Sequence, residues 1–519
     1  MNVAFDPWIP VVTLEGVPKL ATLCEVLTEG QNLADLSVRP HERVSLMRLF
    51  LCVSHAALDG PKDYDEWCKV PKLLPDAARK YLEKWKDSFE LFHPTKPWLQ
   101  VVGLKSGKSA EEGWGPVSKL GFFMASGANT TLFDHEGMNN GGREISLSST
   151  IISMLSFQCF SPGGLISQVF WEGVQTGKSS KDGPCVSASM VHCLLRRENL
   201  LHTIHSNLPS YEDVRFSYGT RSLGRPIWEK IPNSLEDRPA RDNATETYVG
   251  RLVPLTRVML LNPDGTKMLM GDGLPFPPFT DGFPPEPTAV VVIRDKEKQE
   301  HGLLSYRPGK ALWRELVAMI VKRSADGVGG PLSLRALSEG EDCDLIVAAL
   351  ARDQATILDT AESVYRIPSK LRLPERSAVY EEEVRKSEGY ARRLGWAIED
   401  YRNTLDGGWE GRVKSAGPSK NEILGKLHGV ATTQYWTAVE KNLGLLMAHV
   451  NALGTDEVDS TREAWHKMLR QAVRDAYETV CGQETPRQIK AFTEGWRKLT
   501  APPKEQQEQQ PKKRKVAKG

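Results

Sequence analysis

Apolar residues recur at helical spacing over long stretches of this chain, and glycine and proline gather where the spacing lapses. Glu42–Leu58 is apolar on nearly every side, with Val44, Met47 and Leu51 among Leu46, Leu49 and Phe50, which predicts a buried helix. Ala77–Phe92 carries Tyr81, Trp85 and Phe89 at four-residue steps and predicts a second. Ser148–Phe160 is a helix-length hydrophobic segment. Cys193–Leu201 reads as the start of a helix, and residues 310–366 as helical, with a polar Arg352-Asp353-Gln354 step that fits a solvated bend. Alternation over Tyr248–Leu261 and the β-branched run Ala289–Arg294 predict strands, with a hairpin turn at Asp264-Gly265-Thr266-Lys267.

The last third changes character. Val384, Ala391, Ile398 and Leu405 recur every seven residues, and Tyr380, Leu394 and Tyr401 form a second ladder. Two such ladders make the seam of a bundle helix. A second helix spans about Ser419–Val450. A third opens with a capping box at Ser460-Thr461-Arg462-Glu463, and a fourth starts at Thr485-Pro486 and should bury Ile489, Phe492 and Trp496. The expected fold class is α+β: a mixed domain over residues 1–368, a four-helix bundle over 369–500 and a disordered tail over 501–519.

Two glycine-rich loops bracket the Ser148–Phe160 segment: one runs through Gly127-Ala128-Asn129 to Gly141-Gly142, the other is Ser161-Pro162-Gly163-Gly164. Either they are surface loops around a core helix, or they offer bare backbone to a ligand too large for a pocket, such as a nucleic-acid groove.

Composition narrows the function. At 519 residues the chain suggests two to four domains, and 40% hydrophobic with 26% charged residues describes a globular protein. No apolar run is long enough to span a bilayer, and the N-terminus lacks an export signal, so an intracellular, cytoplasmic location is expected. The eight cysteines are scattered singly without a C-x-x-C pair, which points to reduced thiols and no zinc knuckle. Net charge is +1, and Pro511-Lys512-Lys513-Arg514-Lys515-Val516 supplies four of the cations. That hexapeptide is a viral-type nuclear import signal following a Gln/Glu linker, so it reads as an appended tag that would engage importin and direct the chain to a nucleus. Without it the chain is slightly acidic, so any grip on nucleic acid must be local or shared with other subunits.

Enzyme signatures are missing. There is no phosphate-binding loop, no H-E-x-x-H, no G-x-S-x-G and no paired carboxylate metal constellation. His93 beside Pro94 reads as a structural histidine. His202 and His205, with Asp213 nearby, are the one place an unrecognised hydrolase could be sought; a purely structural scaffold is the other alternative. The expectation is a binding subunit with no cofactor and no metal.

Asp6-Pro7-Trp8-Ile9-Pro10-Val11, the Phe92-His93-Pro94-x-x-Pro97-Trp98-Leu99-Gln100 segment, Gly127-Ala128-Asn129, Leu195–Leu201, Arg225-Pro226-Ile227-Trp228 and Ala351-Arg352-Asp353-Gln354-Ala355 fall in that order ahead of the bundle. Together they resemble the CasA family, the large subunit of the type I-E CRISPR surveillance complex Cascade, over nearly all of residues 1–500. The resemblance implies a non-catalytic subunit that inspects double-stranded DNA for the protospacer-adjacent motif from the minor groove and starts strand separation. It makes Gly163 and Gly164 the glycine loop, Gln354 with Ala355 the glutamine wedge, and Lys267 the position nearest the lysine finger, though the segment before it is shorter and lacks some relatives' cysteine cluster. It makes Asn129 to Phe133 the loop that docks near the 5′ end of the guide RNA, anchored by Leu132 or Phe133. The implied partners are the backbone and small subunits, the guide RNA, target DNA and a recruited helicase–nuclease.

Overall fold

The computed structural model describes residues 1–107, 113–122, 145–295, 297–298, 300–354, 356–405 and 422–500. It shows a mixed α/β protein dividing into two compact units, Met1–Arg372 and Leu373–Gly519; the expected junction was 368/369. Among the described residues no helix is long and apolar enough to cross a membrane.

The first unit opens with Ile9–Thr13 between two antiparallel neighbours, Pro18–Ala21 and Leu33–Leu36. Pro40–Leu58 follows as a helix with proline at its first position, and its residues from Val44 to His55 are all buried, as the continuous apolar pattern requires. The next helix spans Tyr64–Lys84, earlier than the expected Ala77–Phe92, and a 3-10 turn covers Lys86–Phe89. Pro71 and Pro75 lie inside it and concealed its first half. The helix tolerates them because Val70, Leu74, Ala78, Tyr81 and Leu82 form one buried stripe.

Two expectations fail for a common reason. Val191–Arg196 is a strand, not a helix start; the helix begins only at Leu200, capped by Asn199. Within 310–366, Leu312–Ile320 is helical and Leu332–Arg335 makes a 3-10 turn, while Cys343–Asp353 and Thr356–Ile367 form a long antiparallel hairpin. Cys343–Asp353 is central in its sheet, between Val191–Arg196 and Thr356–Ile367. A strand covered on both faces has no alternation to display and reads like a buried helix. Tyr248–Leu261 splits into a helix, Tyr248–Leu252, and a strand, Arg257–Leu261. The Asp264–Lys267 turn then joins that strand to Lys267–Asp272, as expected. Val291–Asp295 is also a strand, paired with Glu300–Leu303.

A buried charge cluster ties this unit together. Glu286, 4% exposed, accepts from Arg48 at 2.7 Å and from Arg251 at 2.7 Å. Arg48 also donates to the carbonyl oxygens of Leu252 and Arg251. Burial alone would raise the Glu286 carboxyl, but the two guanidiniums hold it below the usual carboxylate range.

The second unit is helical: Pro374–Leu405, Glu422–Lys441, Leu443–Asn451, Val458–Val480 and Pro486–Thr500. The expected second helix is broken at Asn442. The third starts at Val458, ahead of its expected cap, and Ser460 instead donates to the Glu457 carbonyl. The fourth begins as expected, with Thr485 and Gln488 capping each other. Its buried face is Ala491, Gly495 and Leu499, however; Ile489 is 52% exposed, and Phe492 and Trp496 are half-buried around Tyr477. The reason is close approach: a Cβ on Gly495 would lie 2.1 Å from the Tyr477 hydroxyl and 2.4 Å from the Ala397 carbonyl oxygen. The seam is also not wholly apolar. Buried Glu383 accepts from Lys386 at 2.9 Å and faces His466 Nε2 at 2.7 Å; burial would raise its pKa, but these partners outweigh that and bring it down to about 2.

Candidate nucleic-acid interface

The Leu147–Phe160 helix ends on a loop, Pro162-Gly163-Gly164, whose backbone is fixed from several sides. Gly163 N–H donates to Asp182 Oδ1 at 2.7 Å, and a Cβ there would lie 2.9 Å from the Ser180 carbonyl oxygen. Gly164 has φ +149°, a conformation that side chains rarely adopt. Gly164–Leu165 pairs antiparallel with Ser179–Ser180. Beneath the loop, Arg257 donates to the carbonyl oxygens of Pro162 at 2.8 Å and Lys181 at 3.1 Å. Burial lowers this guanidinium's pKa to about 10. The glycines remain partly open, and Leu165 is 94% exposed.

The second element is the tip of the long hairpin. Gln354 sits there exposed with φ +51°, in the left-handed region. Arg352 donates to the Gln354 carbonyl oxygen at 2.7 Å and forms an ion pair with Asp182. Arg352 N–H is held by Ser189 Oγ at 3.1 Å. Asp182 therefore takes the glycine-loop amide with one carboxylate oxygen and Arg352 with the other. An unbroken chain of hydrogen bonds runs from Gly163 to Gln354, so the structure brings these two sequence-predicted residues together.

Lys267 is not brought to them. It starts the strand whose far end, Asp272, pairs with Arg257 beneath the glycine loop. Five strand steps separate Lys267 from that end, about 17 Å. It lies exposed, in a turn where a Cβ on Gly265 would touch Leu147, at the opposite end of the helix that leads into the loop. The exposed lysines next to the glycines are Lys178, whose carbonyl accepts from Ile166, and Lys181. Ala355, Asn129, Leu132, Phe133 and the Pro511–Val516 signal lie outside the described residues.

The sequence reading missed Asp182, Arg352 and Arg257. Arg352 stood two residues from Gln354, but nothing in the sequence linked it to an aspartate 170 positions earlier.

Among the described residues, the hydrolase alternative finds no assembled site at His202, His205 and Asp213. His202 pairs with Glu198; His205 packs tilted against Trp67 with 4.0 Å between ring centroids, and burial lowers its pKa to about 4. Asp213 is held by Arg335 at 2.8 Å. Among the described residues, no group of three or more His, Cys, Asp or Glu could hold a metal ion.

Known proteins place this architecture. The family model described as CRISPR-associated protein Cse1 matches residues 2–476. A CRISPR-associated protein CasA/Cse1 from Thermus thermophilus is 30% identical over 501 residues, covering 92% of this chain and 91% of its own. In structure, the chain is similar to Thermus thermophilus CasA (Cse1), with TM-score 0.74 and 24% identity over 96% of this chain and 98% of that one. It is similar also to Thermobifida fusca Cse1, with TM-score 0.72 and 19% identity over 96% and 98%. A chain of a CRISPR RNA-guided surveillance complex matches at TM-score 0.72 and 17% identity, over 96% and 99%. A family match across more than nine-tenths of the sequence leaves one reading: the chain belongs to the CRISPR-associated Cse1 (CasA) family.

Proposed function

We propose that this chain is the non-catalytic large subunit of an RNA-guided surveillance complex, and that it recognises the protospacer-adjacent motif in duplex DNA. Gly163 and Gly164 present backbone to the minor groove, where A·T and T·A look alike and only G·C adds a donor. Steric fit against the guanine amino group then admits several motifs instead of one. Gln354, with Ala355, enters the stack as a wedge. Unstacking costs a few kcal/mol per step, and exchanging duplex for RNA–DNA hybrid is nearly balanced, so a modest local push decides whether pairing begins. Asn129, with Leu132 or Phe133, docks the subunit near the guide RNA; the backbone and small subunits complete the grip, and a helicase–nuclease is recruited to the assembled complex. The import signal at Pro511–Val516 adds nuclear delivery through importin in eukaryotic cells; in a bacterium the subunit is cytoplasmic.

One observation carries this reading: Asp182 couples an open glycine backbone to an exposed amide side chain on a separate hairpin. A scaffold would explain Gly163, which has no room for a Cβ. It would not explain why Gln354 is held in an unfavourable backbone conformation with its side chain in solvent. Gln354→Ala in the reconstituted complex is therefore the cleaner test. Target affinity, read by band shift, is expected to fall about tenfold, the equivalent of 1.4 kcal/mol, with assembly intact. Unchanged binding across several motif sequences would overturn the proposal.

A further inference from the structure

Leu165 stands apart from the other apolar side chains on the surface. It is 94% exposed, and the next most exposed large apolar residue among the described ones, Val17, is at 56%. One leucine in solvent is ordinary, because no fold has enough polar surface to cover itself. A leucine almost wholly uncovered and also held in place calls for a reason.

The backbone leaves Leu165 no way to tuck in. On its N-terminal side Gly163 donates to Asp182, and the Gly164 carbonyl accepts from Ser180 Oγ at 3.2 Å. On its C-terminal side the Ile166 N–H donates to the Lys178 carbonyl at 3.0 Å. Leu165 itself lies opposite Ser179 in the short ladder between them. Successive side chains of an extended segment take opposite faces, and Ile166, next along, is the one half-buried.

The charges around Leu165 say what covers it. Lys178 and Lys181 flank the opposing strand, both exposed and without an ion pair among the described residues. Two acids lie between Ser161 and Pro184. Asp182 is held by Gly163 and Arg352, and Glu172 stands seven residues from Leu165 in the turn between Val169–Trp171 and Val174–Gln175. An apolar side chain between two unpaired cations, one residue from open glycine backbone, fits a nucleic-acid groove. Bases offer apolar stacking faces, and phosphates take the lysines.

We propose that Leu165 is an apolar wedge that enters a base step beside the glycine loop from the minor groove. This inference rests on the motif-reading proposal above and adds a second point of strain to the duplex. Gln354 takes the place of a separated pair; Leu165 unstacks a step and leaves its pairs closed. Apolar side chains inserted in this way kink DNA by about 20–90°. The cost depends on the step, low at pyrimidine–purine steps such as TA and high in stiff A-tracts. Leu165 therefore makes the subunit sensitive to base pairs that the glycines do not distinguish, since A·T and T·A look alike from the minor groove.

The assembled complex tests this with targets in which each step of the motif and its flank, outside the guide-paired stretch, is TA or AA. Wild type is expected to show one position at which AA weakens binding. Leu165→Ser should lose that preference, straighten the bound duplex as read by end-to-end energy transfer, and bind about tenfold more weakly. The melting temperature of the chain should not change. Leu165→Met, which keeps an apolar wedge, should preserve preference, bend and affinity. Three outcomes would overturn the wedge. Leu165→Ser could bind and bend DNA as wild type does, or Leu165→Met could lose as much as Leu165→Ser. The third is a Leu165→Ser chain that fails to join the complex, which would place a neighbouring subunit over this residue. G·C pairs in the motif keep the two proposals apart. If they leave wild-type binding unchanged, motif reading itself has failed; if they weaken it while Leu165→Ser changes nothing, only the wedge has.

Discussion

The two units of this protein are held by different kinds of order. The bundle, Pro374–Thr500, is built from repeats that a neighbour in sequence can detect: apolar positions at three- and four-residue steps, and helix caps within one turn. The glycine-loop face of the first unit is built from single polar links between segments far apart in the chain, such as Gly163–Asp182–Arg352–Gln354. The first kind gives a body that tolerates change at many positions. The second gives a surface whose geometry depends on a few atoms, which suits a site that must present backbone and one side chain at a fixed spacing.

The largest expected effect tests the polar core of the first unit. Glu286→Gln removes the charge shared by Arg48 and Arg251 and leaves two guanidiniums buried without neutralisation. Breaking such a pair costs about 3–5 kcal/mol. Hydrogen exchange should rise sharply in Pro40–Leu58 and Arg257–Leu261 while the bundle helices keep their protection. Equal loss in both units would show that the two kinds of order are not independent.

This contrast sets what could be read from the sequence. Pro40–Leu58 was legible because it is apolar on all sides, and Pro486–Thr500 because its cap is local. The Cys343–Ile367 hairpin was not, since its first strand is covered on both faces and shows no alternation. Ile489 was misplaced because helix spacing alone does not say which stripe faces inward; Gly495, which cannot carry a Cβ against Tyr477, decides it. Gly163 and Gln354 were legible as residue types. Their alignment rests on Asp182 and Arg352, and no periodicity links positions so far apart. Lys267 was chosen by order along the chain, and order does not measure the length of the strand between it and the loop.

A smaller effect is expected in the bundle, from its one buried charged group among the described residues. The Glu383 carboxyl is held at about 2, below its ordinary 4.5. A lowered carboxyl pKa stabilises the fold fully above the unfolded value, and the contribution is lost as pH falls through the folded value. Stability of the bundle should therefore drop by about 3 kcal/mol between pH 5 and pH 2 through this group. Glu383→Gln should remove that part of the acid dependence and lower stability at pH 7. Urea midpoints followed across pH by exchange in Val458–Val480 would read it, and a slope unchanged in the variant would place the acid sensitivity elsewhere.

The smallest effects discriminate most finely, because they ask how far the proposed DNA-reading surface extends. Asp182→Asn keeps the shape of the side chain but removes the charge facing Arg352. The ion pair is partly exposed, so stability should fall by about 1 kcal/mol at most. Target binding by the assembled complex should fall further than that, because Gly163 and Gln354 lose their common anchor. Lys181→Ala, beside the glycines, should weaken binding uniformly across motifs and reduce the salt slope by about one phosphate contact. Lys267→Ala, about 17 Å away along its strand, should do neither if the footprint is confined to the loop and the hairpin tip. A loss at Lys267 equal to that at Asp182 would mean that the duplex lies along the Lys267–Asp272 strand. The glycine loop would then be one end of a longer track, with the strand's exposed side chains sharing the grip.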